Sequence, residues 1–168
     1  MEKKGFDILF ISLKDKIFRF AKTILSDEAE AEDVTQDIFE KLWLNQEKLD
    51  EYTNIESYVF RSTKNLCLDR IRHRNVVLKN SNEIKYLSNN NVEPEPDKKD
   101  TSDIIKNTIK NLPEKQRIII HLRDIEGYDF DEISKITGIE KNAIRVSLSR
   151  ARKTVKQELI KIMSYGLQ

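Results

Sequence analysis

The residues whose types and spacing could do chemistry in this chain are charged side chains gathered into runs of one sign. Seven acids and no base lie between residues 26 and 40, and six bases and no acid lie between residues 141 and 156. Ordinary surface helices mix the two signs, because oppositely charged residues four positions apart attract each other. Such segregation therefore indicates two kinds of partner, one basic and one made of phosphate, behind a net charge of only +1.

No catalytic or metal-binding pattern accompanies these runs. Cys67 is the single cysteine, and the two histidines, His73 and His121, lie too far apart in the sequence for a zinc motif. A glycine-rich phosphate loop and a nucleophile paired with a base are also missing from the sequence. The sequence therefore predicts a protein that is not an enzyme, with no catalytic residue, no metal, no cofactor and no small-molecule substrate.

The basic run is predicted to lie on a long helix from about residue 141 to residue 163. Apolar residues from Ile144 to Ile162 share one face at the helical period, and bases occupy the rest of the circumference. A short helix capped by Asp129, followed by a turn at Gly138, precedes it, which is the helix-turn-helix pattern. A solvated helix face is the alternative, but six bases without an acid favour a helix in the major groove of DNA. The predicted DNA-contacting residues are Lys141, Asn142, Arg145, Ser147, Ser149, Arg150, Arg152 and Lys153.

A second cationic surface is predicted near the end of a helix that begins at about Thr53 or Asn54. Its bases lie between Arg61 and Arg74, close to Tyr58 and Phe60. Aromatic rings beside arginines can stack unpaired bases, but we expect these two rings to belong to the core and the arginines to bind. Asp69 is expected to be the structural partner of a neighbouring arginine.

The acidic run is predicted to lie on a helix capped by Asp27 and ending near Leu44. Its exposed residues would include Asp33, Gln36, Asp37 and Glu40, either as a solvated face that balances the charge or as a surface for a basic protein. Phe39 and Trp43, on the flank of this helix, are candidate apolar anchors for such a partner.

The remaining elements position these surfaces in two halves. Helical periodicity covers residues 6–25 and 102–126 as well, and Pro113 is expected to be the first residue of a helix that packs through apolar residues up to Ile125. Asn, Pro and acidic residues dominate between 76 and 101. The sequence thus predicts an all-α protein with two small helical domains, 1–75 and 102–168, joined by a flexible acidic linker, 76–101. No stretch is long and apolar enough to insert into a membrane, and no signal peptide is visible, so a cytoplasmic protein is expected.

Three sequence runs resemble the sigma-70-type RNA polymerase sigma factors, and the short linker resembles the extracytoplasmic-function group. The runs are Ala31-Glu32-Asp33-Val34-Thr35-Gln36-Asp37-Ile38-Phe39-Glu40-Lys41-Leu42-Trp43, then Asn65-Leu66-Cys67-Leu68-Asp69-Arg70-Ile71-Arg72, and finally Leu112-Pro113-Glu114 to Arg117 with Gly127, Glu132-Ile133 and Arg150-Ala151-Arg152. The resemblance implies a domain 2 bundle and a domain 4 helix-turn-helix that bind core RNA polymerase, at its clamp helices and flap, and promoter DNA.

The resemblance also implies roles for individual residues. Asp33, Gln36, Asp37 and Glu40 would face the clamp helices of the largest polymerase subunit, and the last helix would read the minus-thirty-five element. The minus-ten element would be recognised and opened by Asn54, Tyr58, Arg61, Lys64, Asn65, Arg70 and Arg72. An anti-sigma factor is implied as a further partner. The alternative is a helix-turn-helix regulator that acts without core polymerase, which would account only for the second half of the chain.

Overall fold

A computed structural model describes residues 3–80 and 101–165, and within these ranges the chain forms helices and turns without a strand. This confirms the predicted all-α class. None of the helices in the two ranges has both the length and the apolar character that crossing a membrane requires. The helices are α1 (Lys3–Leu25), α2 (Glu28–Leu44), α3 (Ile55–Asn80), α4 (Thr101–Lys110), α5 (Glu114–Ile120), α6 (Phe130–Thr137) and α7 (Lys141–Tyr165).

In the first half, α1 packs against α2 and α3 through the apolar stripe that the sequence shows. Ile17, Phe20 and Ile24 on α1 are almost completely buried. Asp27 caps α2 as predicted, because its side chain accepts a hydrogen bond from the backbone N–H of Glu30 at 2.8 Å. The cap fixes where the acidic helix begins, and so fixes which of its residues turn outward.

Several predicted boundaries differ from the structure. The linker was expected from residue 76, but α3 continues to Asn80, since no glycine or proline interrupts this stretch of the sequence. Pro113 has an extended ψ of 139° and therefore precedes α5 rather than forming its first residue. A 3-10 turn at Gln46–Glu51 and a π-helical turn at His121–Ile125 were not predicted. The π turn rotates Ile125 outward, so this residue is 49% exposed and not in the core as expected.

The two halves share one continuous core. Across the boundary α1 packs against α5 and α3 packs against α6. The ring of Phe20 lies 5.4 Å from that of His121, and the ring of Phe60 lies 5.1 Å from that of Tyr128. The sequence predicted two domains and gave no indication that they pack together.

Candidate nucleic-acid and protein interfaces

Helix α7 separates a buried face from a polar one, as its periodicity predicts. Ile144, Leu148 and Ala151 are buried against the rest of the second half. Of the eight predicted DNA-contacting residues on this helix, seven are exposed and Ser147 is half-buried. Ser147 lies beside the buried face and is therefore the least available of the eight.

The turn that presents α7 has the geometry of a helix-turn-helix. Asp129 accepts a hydrogen bond from the backbone N–H of Glu132, and the Glu132 carboxylate accepts one from the N–H of Asp129, which is a complete capping box. Gly138 ends α6 in the left-handed conformation with φ of 74°, which a residue with a side chain adopts at a cost. The predicted cap and glycine turn are both confirmed.

Three of the predicted DNA-contacting cations on α7 are held by neighbouring groups of the same half. The Arg152 guanidinium donates two hydrogen bonds to Asp124, at 2.9 and 2.5 Å, and this contact raises the pKa of Arg152. Lys141 forms an ion pair with Asp131. Arg145 donates to Asn142 at 2.9 Å.

The Phe130 ring adds a further contact to this flank of α7. The guanidinium carbons of Arg145 and Arg123 lie 5.1 and 4.9 Å from its centroid, at cation–π distance. Asp124, Phe130 and Asp131 were not predicted as functional residues. These contacts fasten one flank of α7 to α6 and the turn before it, and so orient the opposite face.

Helix α3 carries the second cationic surface. Arg61, Asn65 and Arg72 are exposed, and Arg72 donates to Asp69 at 2.8 Å, which confirms that Asp69 has a structural partner. Asn54 caps the helix, because its side-chain oxygen accepts a hydrogen bond from the backbone N–H of Ser57 at 2.8 Å. Phe60 is fully buried as expected.

Other predicted residues of α3 are engaged within the chain. Lys64 donates to the carbonyl of Thr137 in the second half at 3.1 Å, and burial together with the charge of Arg61 lowers the pKa of Lys64. Arg70 pairs with Asp37 at 2.5 Å and approaches Asp33 at 3.9 Å. The half-buried ring of Tyr58 stacks on Tyr52 with centroids 4.1 Å apart.

The acidic face of α2 is formed as predicted. Asp33, Gln36, Asp37 and Glu40 are all exposed, whereas the apolar residues from Ala31 to Leu42 are buried on the other side. The expectation for Phe39 is wrong: this ring is only 6% exposed and packs edge-on against Phe10, with centroids 4.5 Å apart. Trp43 is 41% exposed, and it is the one of the two predicted anchors that a partner can reach.

A polar network at the boundary between the halves was missed by the sequence analysis. The buried carboxylate of Glu126 accepts hydrogen bonds from Arg19 of α1 and lies 3.3 Å from Nε2 of His121. His121 also contacts the Thr23 hydroxyl at 2.9 Å. Burial would raise the pKa of Glu126, but His121 and Arg19 outweigh it and hold that pKa below its ordinary value.

Two further contacts cross the same boundary. The Tyr128 hydroxyl donates to the Glu56 carboxylate at 2.5 Å, and burial and that carboxylate raise the pKa of Tyr128. Arg117 donates to the carbonyls of Lys110 and Ile24, near the ends of α4 and α1. A cation at a helix C-terminus is favourable, so Arg117 joins one helix of each half. Its place in the Leu-Pro-Glu motif was the only sequence signal for this network.

Comparison with known proteins identifies a family-model match in each half of the chain. The family model for Sigma-70 region 2 matches residues 9–76, and that for Sigma-70 region 4 matches residues 102–155. The chain is 30% identical over 154 residues to the RNA polymerase sigma factor SigZ of Bacillus subtilis, covering 88% of this chain and 85% of that protein. It is 26% identical to the ECF RNA polymerase sigma factor SigW of the same organism, covering 94% and 92%.

Solved structures extend the likeness to the whole fold. The sigma factor RpoE of Bartonella quintana, in complex with the anti-sigma factor NepR, superposes with a TM-score of 0.79 at 24% identity, covering 95% of this chain and 98% of that one. CnrH in complex with the cytosolic domain of CnrY superposes with a TM-score of 0.66 at 20% identity, covering 95% and 90%.

The two matched regions contain the acidic helix and the cationic parts of α3 and α7. A regulator that acts without polymerase would leave the first half unexplained, so the predicted family and function are favoured over that alternative. The chain belongs to the extracytoplasmic-function sigma factors of the sigma-70 family, which bind RNA polymerase and direct transcription initiation.

Proposed function

We propose that this sigma factor divides its work among three surfaces: α2 binds core RNA polymerase, α3 binds the minus-ten element and α7 binds the minus-thirty-five element. Residues 1–75 and 102–168 would then be two functional units, joined by the stretch that follows α3. The observation that carries the proposal is the placement of Asp33, Gln36, Asp37 and Glu40 on one exposed face of α2. Each surface acts by binding, and the chain is proposed to act without catalysis, in the cytoplasm where RNA polymerase works.

The polymerase surface combines charge with an apolar edge. The four exposed side chains suit a basic partner such as the clamp helices of the largest subunit, and Trp43 at the end of α2 supplies a half-exposed ring. Because Asp37 is paired with Arg70, its negative charge is already compensated inside the chain. Glu40 is therefore the simplest residue with which to test the surface.

The packed arrangement of the two halves supports the proposal that this structure is a resting state, in which the protein is not bound to a promoter. A compact chain of this length has a radius of gyration of about 15 Å. The minus-ten and minus-thirty-five elements, about 25 base pairs apart, lie on the order of 80 Å apart along a duplex with 3.4 Å per base pair. One compact body cannot contact both, so we propose that the halves separate at the promoter.

An antagonist would then act by keeping the halves together. The similar structures of RpoE and CnrH are complexes with the anti-sigma factor NepR and with the cytosolic domain of CnrY. We therefore propose an anti-sigma partner for this chain that binds the packed arrangement of the two halves.

The experiment is assembly with purified core RNA polymerase followed by run-off transcription. Glu40→Arg should abolish co-elution with core polymerase, because it reverses an exposed charge of the proposed docking face that no described residue compensates. Arg150→Ala should leave co-elution intact and reduce transcription about fivefold or more, since a lost base contact costs about 1–3 kcal/mol. The two variants thus separate polymerase binding from promoter binding.

The matched control is Asp103→Arg, which reverses an exposed acid on α4, a helix of the second half. It should keep both co-elution and transcription. Full retention of core binding by Glu40→Arg and Asp37→Arg together would contradict the assignment of α2. Unchanged transcription with Arg150→Ala would remove that residue from the reading face of α7.

A further inference from the structure

The outward stripe of α7 contains an apolar residue at its centre. Val146 follows the buried Ile144 by two positions, which places it about 200° around a helix of 3.6 residues per turn, almost opposite the core. It is 51% exposed. Its neighbours on this stripe, one turn before and after, are Asn142, Ser149 and Arg150, which are exposed as well.

The contacts on one flank of α7 orient the stripe around Val146 toward the DNA that α7 is proposed to bind. Lys141, Arg145 and Arg152 are held by Asp131, Phe130 and Asp124, so the second half fixes the rotation of α7 about its own axis. The direction that this rotation leaves pointing away from the protein is that of Val146. A helix inserted in a groove with this orientation brings Val146 to the groove floor first.

The chemistry of the major groove offers one apolar feature. Each A·T pair presents the C5-methyl group of thymine, whereas the other base-edge groups are hydrogen-bond donors and acceptors. Valine has one strongly preferred side-chain rotamer in a helix, so its two methyl groups are held in place before binding and lose little entropy. The short side chain also leaves room for Arg150 and Asn142 to reach neighbouring base edges.

We propose that Val146 is a specificity-determining residue that contacts a thymine methyl group in the minus-thirty-five element. This rests on the proposed role of α7. The contact selects a thymine on one strand at one position, between the bases read by Asn142 on one side and Arg150 on the other. An isolated exposed valine needs no explanation in general, but this one occupies the middle of a face made otherwise of hydrogen-bonding side chains.

The test begins with the preferred minus-thirty-five sequence, selected from random duplexes with the holoenzyme. Each thymine of that element is then replaced by deoxyuridine, which removes only the methyl group. For the unaltered protein, one replacement should weaken binding about fourfold, the factor expected for one methyl-sized apolar group. For Val146→Ala the same replacement should change binding less than twofold, while other positions behave alike in both proteins.

Ile160→Ala is the matched control, because Ile160 is also apolar and 55% exposed on α7 but lies fourteen residues beyond Val146. It should keep the full effect of deoxyuridine. The proposal is overturned if the selected element contains no thymine, or if Val146→Ala and the unaltered protein respond equally at every thymine. Failure of the unaltered holoenzyme to bind any promoter would instead contradict the proposed role of α7.

Discussion

The two cationic helices, α3 and α7, are nearly equal in length, at 26 and 25 residues, but they hold their charges differently. On α3, Arg70 and Arg74 pair with acids of α2, and Lys64 reaches the second half. On α7, the ion pairs of Lys141 and Arg152 occupy one flank, and the face opposite the core remains exposed. A cationic helix is therefore not automatically a free nucleic-acid surface, because its neighbours decide which of its charges remain available.

This difference between α3 and α7 predicts which of the two proposed DNA-binding surfaces becomes available first. In the packed arrangement the face of α7 that we propose reads bases is already exposed, whereas α3 lies against α6 and part of its polar surface is engaged. We therefore expect the minus-thirty-five surface to be competent before the minus-ten surface. Separation of the halves would free Lys64 and the neighbouring part of α3.

The largest expected effect comes from removing the ring that joins the halves. Tyr128 is 7% exposed, packs against Phe60 and donates to Glu56. Tyr128→Ala should lower the free energy of unfolding by about 3 kcal/mol, at the lower end of the range for buried aromatic residues. It should also increase the radius of gyration in small-angle X-ray scattering, because it removes the buried aromatic contact between α3 and the second half.

Tyr128→Phe is the control, since it keeps the ring and removes only the hydroxyl. It should preserve the compact form and cost about 1–3 kcal/mol, because Glu56 loses a donor. An unchanged radius of gyration for Tyr128→Ala would show that the packing of α1 against α5 holds the halves together without this ring.

A smaller, pH-dependent effect is expected at Glu126. Its folded-state pKa is depressed, so its contribution is fully present above the pKa of the unfolded chain and is lost as pH falls through the folded-state value. At neutral pH, Glu126→Gln should cost about 1.5–3 kcal/mol of unfolding free energy, as for hydrogen bonds to charged groups. The difference between the two proteins in urea unfolding should shrink as the pH is lowered into the acidic range.

Arg19→Ala serves as the companion variant for this measurement. It removes the partner of Glu126 on α1. At neutral pH it should lower the free energy of unfolding by less than Glu126→Gln does, because Arg19 is half-exposed and screened by solvent. If Glu126→Gln lowers the free energy of unfolding by the same amount at every pH, the network contributes to stability through packing and not through the charge of Glu126.

Local features of the structure were predictable from sequence because they depend on neighbours in the chain. The cap at Asp27, the turn at Gly138 and the buried stripe of α7 each follow from residues within one or two turns. Phe39 was misassigned because α2 packs on α1 through a wider stripe than the three- and four-residue spacing indicates, with Thr35 and Phe39 also buried.

The boundary between the halves could not be predicted in this way. The pairs Arg19–Glu126 and Glu56–Tyr128 join residues 107 and 72 positions apart, and neither pair leaves a periodic pattern in the sequence. The role of His121 could not be predicted either, because a single histidine after three isoleucines indicates only the end of a helix. The acidic run and the bases of α3 were visible, but which of their charges pair within the chain depends on the approach of α2 to α3, which no local pattern encodes.

The smallest expected effect separates the two cationic helices directly. Asp124→Asn should release Arg152 on α7 and change the unfolding free energy by less than about 1 kcal/mol, because the pair is largely exposed. If the released guanidinium reaches a phosphate, the slope of log affinity against log salt for a minus-thirty-five duplex should steepen by about one. Asp69→Asn is the matched variant, because it likewise releases an arginine, Arg72 on α3, from an exposed ion pair. It should leave that slope unchanged, since α3 does not contact this duplex. A steeper slope with both variants would mean that any added positive charge, and not the position of Arg152 beside the reading face, governs binding.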